Sequence, residues 1–581
     1  MILSRLKNLL EFSLPIIFLY IIIYLGWNKY PIEIFNRKFI IGIIFFINII
    51  HFIIFFFDKK IEKDYKSSIF LSFFILIIPI ILYYINDNFY NIKIYSIISL
   101  ILHILIRTTY FMREIYVRIH NPIFIFITSF IFLTFLGSIL LMLPSSTVKK
   151  ISFIDALFTS TSAVCVTGLM VLDTSKDFTY SGKIILLILI ELGGLGILTI
   201  TSFLNYFFQS GFTFKEAIFA SNFLNTRTTN NVLIFAVKVV LFTLIIEFLG
   251  ALLIYISIKN YDYRNIVELK NPLFFSIFHS VSAFCNGGFS TIHDDLYSKN
   301  IRYNYSLQLI ISFLIILGGI GFNILFNFFT FIWLKFKKIF YKIIINKNLR
   351  NPVHIVTLNT KLVIITTFLL IFFGTIFYYI NEYNFSLKEH NSFYGKFIAS
   401  FFSAITARTA GFHVLNMNNF NISSILFTIL LMWIGASPSS TGGGIKTSTF
   451  AIAIMNIISL SKGNNRLELK GREISSESIH LAFSIIMLSL IVIYIGVFII
   501  AFLDPKKNIL YIFFEVFSAI STTGLSLGIT STLSNGSKLI LILLMFLGRI
   551  GIFNIMISFL RRNKINYHYY YKFPKEDIII N

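Results

Sequence analysis

Hydrophobic positions run through this chain in long blocks, without the alternation of a half-buried strand or the one-sided spacing of a surface helix. Phe39–Phe57, Ile69–Ile85 and Ile123–Leu143 are apolar with almost no charge. At about 1.5 Å of rise per residue, helices of roughly 17–20 residues match a hydrocarbon core about 30 Å thick. These blocks predict membrane spans. Ahead of everything else, about four spans are expected near residues 10–26, 39–57, 69–85 and 92–106. The first follows Arg5 and Lys7 and ends in Trp27 to Pro31 without a small-residue cleavage site, so it is expected to be retained.

After the basic stretch Arg107–Arg118, one plan recurs four times: a span, a shorter semi-polar segment ending in Gly, and a second span. The units run from Asn121 to Gln209, Asn231 to Trp333, Asn359 to Leu460 and Ser475 to Leu560. Internal repetition of this kind points to one structural unit used several times. The middle segments are too short and too polar to cross a bilayer, and at membrane depth they are tolerated only when buried in protein or lining water. The expected fold is an all-α polytopic membrane protein, with four span, re-entrant pore helix and loop, span repeats in pseudo-fourfold arrangement plus the N-terminal helices. The matching divisions are 1–120 for the extra helices, 121–230 for the first repeat, and 231–358 for the second with a basic cytoplasmic loop. Residues 359–474 carry the third repeat with an intramembrane loop, 475–560 the fourth, and 561–581 a cytoplasmic tail.

Composition supports the membrane assignment: 56% of residues are hydrophobic, 13% are charged, and the mean hydropathy is +0.82. The net charge of +23 would suggest nucleic acid in a soluble protein. Here its distribution favours topology and anionic lipid headgroups, and no nucleic-acid partner is expected. Lys335, Lys337, Lys338, Lys342, Lys347, Arg350 and Lys361 share one connection without an acidic residue, and the connections near Lys215 and Arg227 and over Lys462–Arg472 are also basic in balance. Basic loops mark the cytoplasmic side, which also puts both termini inside a cell (plasma or inner) membrane. The two cysteines, Cys165 and Cys285, form no CxxC and sit beside no His cluster, so neither a disulfide nor a structural metal is expected.

The candidate chemistry lies in the four middle loops. Aligned on the last glycine, they read Ser162-Ala163-Val164-Cys165-Val166-Thr167-Gly168-Leu169, Ser282-Ala283-Phe284-Cys285-Asn286-Gly287-Gly288-Phe289, Thr406-Ala407-Arg408-Thr409-Ala410-Gly411-Phe412 and Ser518-Ala519-Ile520-Ser521-Thr522-Thr523-Gly524-Leu525. A dehydrated cation needs oxygens in place of its water shell, and rings of backbone carbonyls supply them without fixed charge. Glycine accepts φ > 0 and lets a carbonyl turn where a Cβ would resist. The segments before the loops, Ile154–Val164, Leu273–Phe284, Lys396–Thr406 and Leu510–Ile520, are expected as half-helices. Their C-terminal ends, each carrying about −0.5 charge, favour a cation. The expected filter is Val166, Thr167 and Gly168; Asn286, Gly287 and Gly288; Thr409, Ala410 and Gly411; and Thr522, Thr523 and Gly524.

Two features of the second spans suggest a gate. Leu192-Gly193-Gly194-Leu195-Gly196, Leu317-Gly318-Gly319-Ile320-Gly321 and Leu547-Gly548-Arg549-Ile550-Gly551 echo one another. Small residues explain the first two by close helix packing. Arg549 is different, because a mid-membrane arginine costs about 2.5–3.5 kcal/mol on insertion scales unless it meets water or a partner. It is read as an electrostatic barrier, with a salt bridge to Glu191 or Glu247 as the alternative. In the third unit, Pro and three glycines interrupt the second span within Gly435-Ala436-Ser437-Pro438-Ser439-Ser440-Thr441-Gly442-Gly443-Gly444-Ile445-Lys446-Thr447. Gly435, Ser437, Pro438, Ser439, Thr441, Gly442, Gly443, Gly444, Lys446 and Arg549 are the expected gate. The stretch lacks the Gly-Lys-Ser/Thr order of a nucleotide P-loop.

On the first and third loops, the broken span Gly435–Thr447 and Leu547-Gly548-Arg549, the chain resembles the Trk/Ktr/HKT superfamily of potassium transporters, specifically bacterial TrkH/KtrB pore-forming subunits. The resemblance covers roughly Asn121 to Leu560. It implies four repeats, K⁺ selection at one filter ring, and gating by the third-repeat loop and the fourth-repeat arginine. It also implies that glycine at 168, 288, 411 and 524 goes with K⁺ preference. A homodimer docking a cytoplasmic ring of nucleotide-binding regulatory subunits (TrkA/KtrA-like) follows from it as well. The four N-terminal spans exceed the none or two usual in that family. The expected function is channel-like K⁺ uptake without a covalent cofactor, K⁺ being the transported ion and Na⁺ an activating or coupled one. An ion-coupled K⁺ symporter is the alternative. A membrane enzyme finds no support, because Asp155, Glu191, Glu247 and Glu515 are scattered and the outer loops are short.

Overall fold

The computed structural model describes residues 122–196, 232–259, 271–299, 301–344, 356–464, 466–469 and 471–551, with isolated positions outside them. The four N-terminal spans, Lys215 and Arg227, the Asp262–Lys270 loop, Lys347, Arg350 and the tail lie outside the described residues.

Helices dominate. A first group holds α1 (Pro122–Leu141), α2 (Phe153–Val164) and α3 (Tyr180–Leu195), and a second holds α4 (Val232–Lys259), α5 (Pro272–Phe284), α6 (Tyr305–Ile320) and α7 (Phe322–Ile344). The third comprises α8 (Leu358–Asn381), α9 (Phe393–Thr406), α10 (Ile422–Trp433) and α11 (Thr447–Ser461). A small hairpin, β1 (Glu468–Leu469) with antiparallel β2 (Arg472–Glu473), leads to α12 (Ser476–Leu503), α13 (Ile509–Ser521) and α14 (Asn535–Ile550). Among the described residues, α4, α8 and α12 are long and apolar enough to cross a membrane, and α6 with α7 passes the same test as a pair bent by 104°. The chain is a multi-pass membrane protein.

The short helices α2, α5, α9 and α13 start where local chemistry starts them. Ser152 and Ser392 cap α2 and α9 by accepting from the Asp155 and Gly395 amides, and Asn508 caps α13 through the Leu510 amide. Pro272 opens α5, where its missing N–H costs nothing. Their C-terminal halves are buried, Thr159–Val164 and Phe278–Phe284 among them.

The second helix of each group packs on the short helix of the next: α3 on α5, α6 on α9, α10 on α13, and α14 back on α2. Hydrophobic clusters fill these junctions. One joins Val164, Leu189 and Ile190 to Phe278 and Phe284; another joins Ile311 and Leu314 to Phe402 and Phe412; a third joins Phe158 and Leu169 to Val516, Leu541 and Met545. Lys538 closes the last junction through a 2.7 Å ion pair with Asp155.

The Leu-Gly stretches make the close approach expected of small residues and add a stop to it. Gly193, Gly318 and Gly548 each face a carbonyl at the C-terminal end of a short helix, where a Cβ would lie 2.0 Å from Val164 O, 1.8 Å from Phe284 O and 2.0 Å from Ile520 O. Three residues on, Gly196, Gly321 and Gly551 take φ of 77°, 91° and 89° and end their helices. These stretches are contact points followed by stops, which is why α6 does not run straight into α7.

Candidate ion-conduction site

Each short helix ends in a turn of the same construction. In the first, the Thr167 amide donates to Ser162 O at 2.7 Å, the Gly168 amide donates to Ser162 Oγ at 3.1 Å, and that hydroxyl donates to Leu169 O at 2.8 Å. Ser282 receives the Gly287 amide at 2.6 Å on its carbonyl and donates to Phe289 O at 2.9 Å. Ser518 receives the Thr523 amide at 2.9 Å and, on Oγ, the Gly524 amide at 3.0 Å. In the third turn, one residue shorter, Thr406 donates to Phe412 O at 2.5 Å. The sequence marks this part through its recurrent Ser-Ala, with Thr406-Ala407 aligned to it in the third loop, and Thr406 takes the part there.

The backbone alternates in handedness. Val166, Asn286, Thr409 and Thr522, each two residues before an expected filter glycine, have φ of 55°, 61°, 78° and 50°, and Gly168, Gly288, Gly411 and Gly524 have 88°, 66°, 84° and 90°. The residues between them are not left-handed. In an ordinary extended segment successive carbonyls point to opposite sides; alternating handedness brings them toward one side. Four non-glycine residues in this sparsely occupied region mark backbone held by its surroundings.

The glycines meet. A Cβ on Gly168 would lie 2.7 Å from Gly287 O, one on Gly288 2.6 Å from Ala410 O, one on Gly411 2.6 Å from Thr523 O, and one on Gly524 2.2 Å from Thr167 O. Every glycine abuts the carbonyl before the next glycine, and the fourth returns to the first. The four turns form a closed ring. Around it, Thr167 Oγ1, Asn286 Oδ1 and Thr523 Oγ1 are buried without a protein partner, while Asn286 Nδ2 donates to Thr409 Oγ1 at 3.3 Å.

The Gly435–Thr447 loop interrupts the third group's second helix between α10 and α11. It is tied in place: the Ser437 and Thr441 amides donate to Gly319 O and Gly318 O at 3.0 and 3.3 Å, and the Gly443 amide donates to Thr522 Oγ1 at 3.0 Å. Ser439 O accepts from the Phe322 amide at 3.1 Å across the α6–α7 bend, and Lys446 Nζ donates to Gly442 O at 2.7 Å. A Cβ on Gly442 would lie 2.3 Å from Thr409 Oγ1, so the loop lies directly against the ring. Gly435 and Gly444 touch each other, and Pro438 O faces Gly321. Arg549 donates to Thr441 O of the loop and to Gly193 O and Gly194 O of the first group. The alternative partners Glu191 and Glu247 make no ion pair with it within 4.0 Å; main-chain oxygens satisfy the guanidinium.

Residues 89–566 match the TrkH family, described as a cation transport protein. The chain belongs to the TrkH family. It is a transporter and not an enzyme. Among its relatives is the Ktr system potassium uptake protein B of Bacillus subtilis, 36% identical over 441 residues that cover 75% of this chain and 93% of that protein. The potassium/sodium uptake protein NtpJ of Enterococcus hirae is 32% identical over 467 residues, 79% of this chain and 97% of its own length. The crystal structure of the potassium transporter TrkH from Vibrio parahaemolyticus shares the fold, with a TM-score of 0.60 over 85% of this chain and 96% of that one, at 17% identity.

Sequence reasoning passed over some site residues of this TrkH-family chain. Cys285 lies 3.5 Å from Glu191 Oε2 and 3.7 Å from Glu247 Oε1, and Gly194 packs on its sulfur. Arg408, inside the third turn, donates to Gly435 O at 3.4 Å and so joins ring to loop. Nothing in local sequence pairs positions so far apart.

Proposed function

We propose that this chain takes up K⁺ across the cell membrane through one pore, with four pseudo-fourfold repeats each giving a glycine turn to its selectivity filter. The observation that carries the reading is the closed ring of Gly168, Gly288, Gly411 and Gly524, with handedness alternating toward it in all four turns. Carbonyls of Val166, Thr167, Gly168, Asn286, Gly287, Gly288, Thr409, Ala410, Gly411, Thr522, Thr523 and Gly524 stand in for the ion's hydration shell. The four short helices add the negative ends of their dipoles. The Bacillus subtilis and Enterococcus hirae relatives, named as potassium and potassium/sodium uptake proteins, support K⁺ as the ion and Na⁺ as the competitor to be discriminated, activating or coupled.

The gate is the Gly435–Thr447 loop with Arg549. Thr441 reaches the second group through its amide and the fourth through Arg549, which reaches the first. These contacts with the other three groups support a loop that crosses the conduction axis. A guanidinium charge there repels a passing cation by about 4 kcal/mol at 4 Å for an effective dielectric constant of about 20. The exposed lysines 335, 337 and 342 of α7 suit a cytoplasmic partner, and a homodimer with a separate nucleotide-binding regulatory subunit completes the proposal. The name of the Bacillus subtilis relative, a protein of a Ktr system, supports such a partner.

The test is complementation of a K⁺-uptake-deficient bacterium on limiting K⁺, with Rb⁺ and Na⁺ fluxes compared for the wild type and Gly168→Ser. Growth with Na⁺ exclusion in the wild type, and loss of that exclusion in an equally expressed Gly168→Ser, are expected. Unchanged discrimination in the variant would falsify the filter assignment.

A further inference from the structure

Two of the four filter turns are tied to their own short helices by a device the other two lack. Three residues before the turn-closing Ser or Thr, the four helices carry Thr159, His279, Ser403 and Glu515, all buried. Two residues after the filter glycine stand Met170, Ser290, His413 and Ser526. In the second unit, His279 Nδ1 lies 2.9 Å from Phe275 O, which only accepts, so that nitrogen carries the proton. His279 Nε2 is therefore an acceptor, and it takes the Ser290 hydroxyl at 3.0 Å. In the fourth unit, Glu515 Oε1 takes the Ser526 hydroxyl and also that of Thr530 at 3.1 Å.

The serines match in a second respect. Ser290 Oγ accepts the Ile292 amide at 3.2 Å and Ser526 Oγ the Gly528 amide at 2.9 Å, two residues on in both cases. In the other units the corresponding hydroxyls serve their own helices: Thr159 donates to Asp155 O and Ser403 to Ala399 O, each at 2.8 Å. The His413 amide is held instead by Asp295 of the second group at 2.7 Å.

Order around the ring puts Gly288 opposite Gly524. We propose that His279 and Glu515 are positioning residues for ion discrimination: through Ser290 and Ser526 they fix the outer ends of two opposed filter turns, so that the ring holds its width along that diagonal. A ring held open along one diagonal keeps its oxygens at the spacing of the larger ion; loosening either clamp lets them close on Na⁺. The inference rests on the filter reading above.

Glu515 Oε2 is buried without a partner, which makes the carboxylate separable into charge and clamp. Gln keeps an acceptor at the Oε1 position without the charge; Ala removes both. The experiment measures the K⁺:Na⁺ uptake ratio of purified protein in liposomes, with gel-filtration profile and melting temperature as controls for folding. Ser290→Ala, Ser526→Ala and Glu515→Ala are expected to lower the ratio about fivefold, the scale of one hydrogen bond. Ser526→Thr and Glu515→Gln restore it, and Thr159→Ala and Ser403→Ala leave it unchanged. An unaltered ratio in folded Ser290→Ala and Ser526→Ala, or an equal fall in Thr159→Ala, overturns the clamp while Gly168→Ser still reports the filter. If Gly168→Ser also leaves the ratio intact, the filter reading fails and the clamp with it.

Discussion

A valine at φ 55° is costly, since its branched Cβ crowds the backbone in the left-handed region, and Val166 is fully buried there. Such a residue persists when its surroundings over-determine it, here by its own amide's bond to Ala163 O at 3.1 Å and by the Ser162 bonds that hold the next two residues. Glycines nearby separate steric from conformational need. Gly524 and Gly528 have φ of 90° and 85°, but a Cβ on Gly524 would lie 2.2 Å from Thr167 O whereas nothing lies within 4 Å of one on Gly528. Gly524→Ala is expected to abolish selective K⁺ uptake, and Gly528→Ala to cost only about 1 kcal/mol of stability with uptake retained; Rb⁺ flux and thermal melts of the two variants check this. A second residue-scale expectation concerns His390, in the connection between α8 and α9. Burial pushes its pKa down from 6.5 to about 4, outweighing the pull of Glu389, with Arg302 and Lys396 adding to the fall. The folded state therefore holds it neutral, so its contribution is present above pH 6.5 and is lost as pH falls from there through about 4. Melting temperature should drop more steeply over that window in the wild type than in His390→Gln, and parallel pH profiles would remove His390 as the cause.

At the scale of elements, the broken helices are the informative parts. α3, α6 and α14 stop at glycines, and α10 stops before the Gly435–Thr447 loop. That loop carries amides that a continuous helix would have satisfied, and it finds them partners on Gly318, Gly319 and Thr522 instead. This is the accounting that lets irregular backbone exist inside a membrane protein. Arg549 fastens the same loop to the first group, so removing it releases both the charge and the fastening. Arg549→Ala is expected to raise K⁺ flux in liposomes at least several-fold, with about a thousandfold as the ceiling if the whole repulsion of about 4 kcal/mol is relieved at about 1.4 kcal/mol per factor of ten. A lower flux through well-folded protein would mean that the arginine supports the pore and does not obstruct it.

At the scale of the whole molecule, closure is the decisive property, because a ring of oxygens works only if the last group meets the first. The Asp155–Lys538 pair, at 2.7 Å with Lys538 buried, lies at that seam between α2 and α14. Asp155→Asn or Lys538→Met should each cost about 1.5–3 kcal/mol of stability, the range for a hydrogen bond to a charged group. The exchanged pair Asp155→Lys with Lys538→Asp should recover part of the loss. Chemical denaturation in detergent measures it, and additive losses in the double variant would show that the two charges do not act as a pair.

Sequence alone determined the class of the molecule: apolar blocks as long as a bilayer is thick leave no soluble alternative, and four recurrences of one segment order set the expected plan. It also marked the turns, because glycine after a Ser-Ala start is a local signal, and it marked the third-group break, because proline and glycine cannot propagate a helix. The short helices accordingly begin within three residues of the expected starts. Tertiary structure decided which atoms meet. That Gly524 returns to Thr167, that Arg549 rests on the Thr441, Gly193 and Gly194 carbonyls and not on Glu191 or Glu247, and that Ser290 and Ser526 find acceptors on their own helices are contacts between residues distant in the chain or between turn and helix. Local periodicity carries the identity of an element, whereas the partner of a carbonyl is fixed only when all the helices have packed.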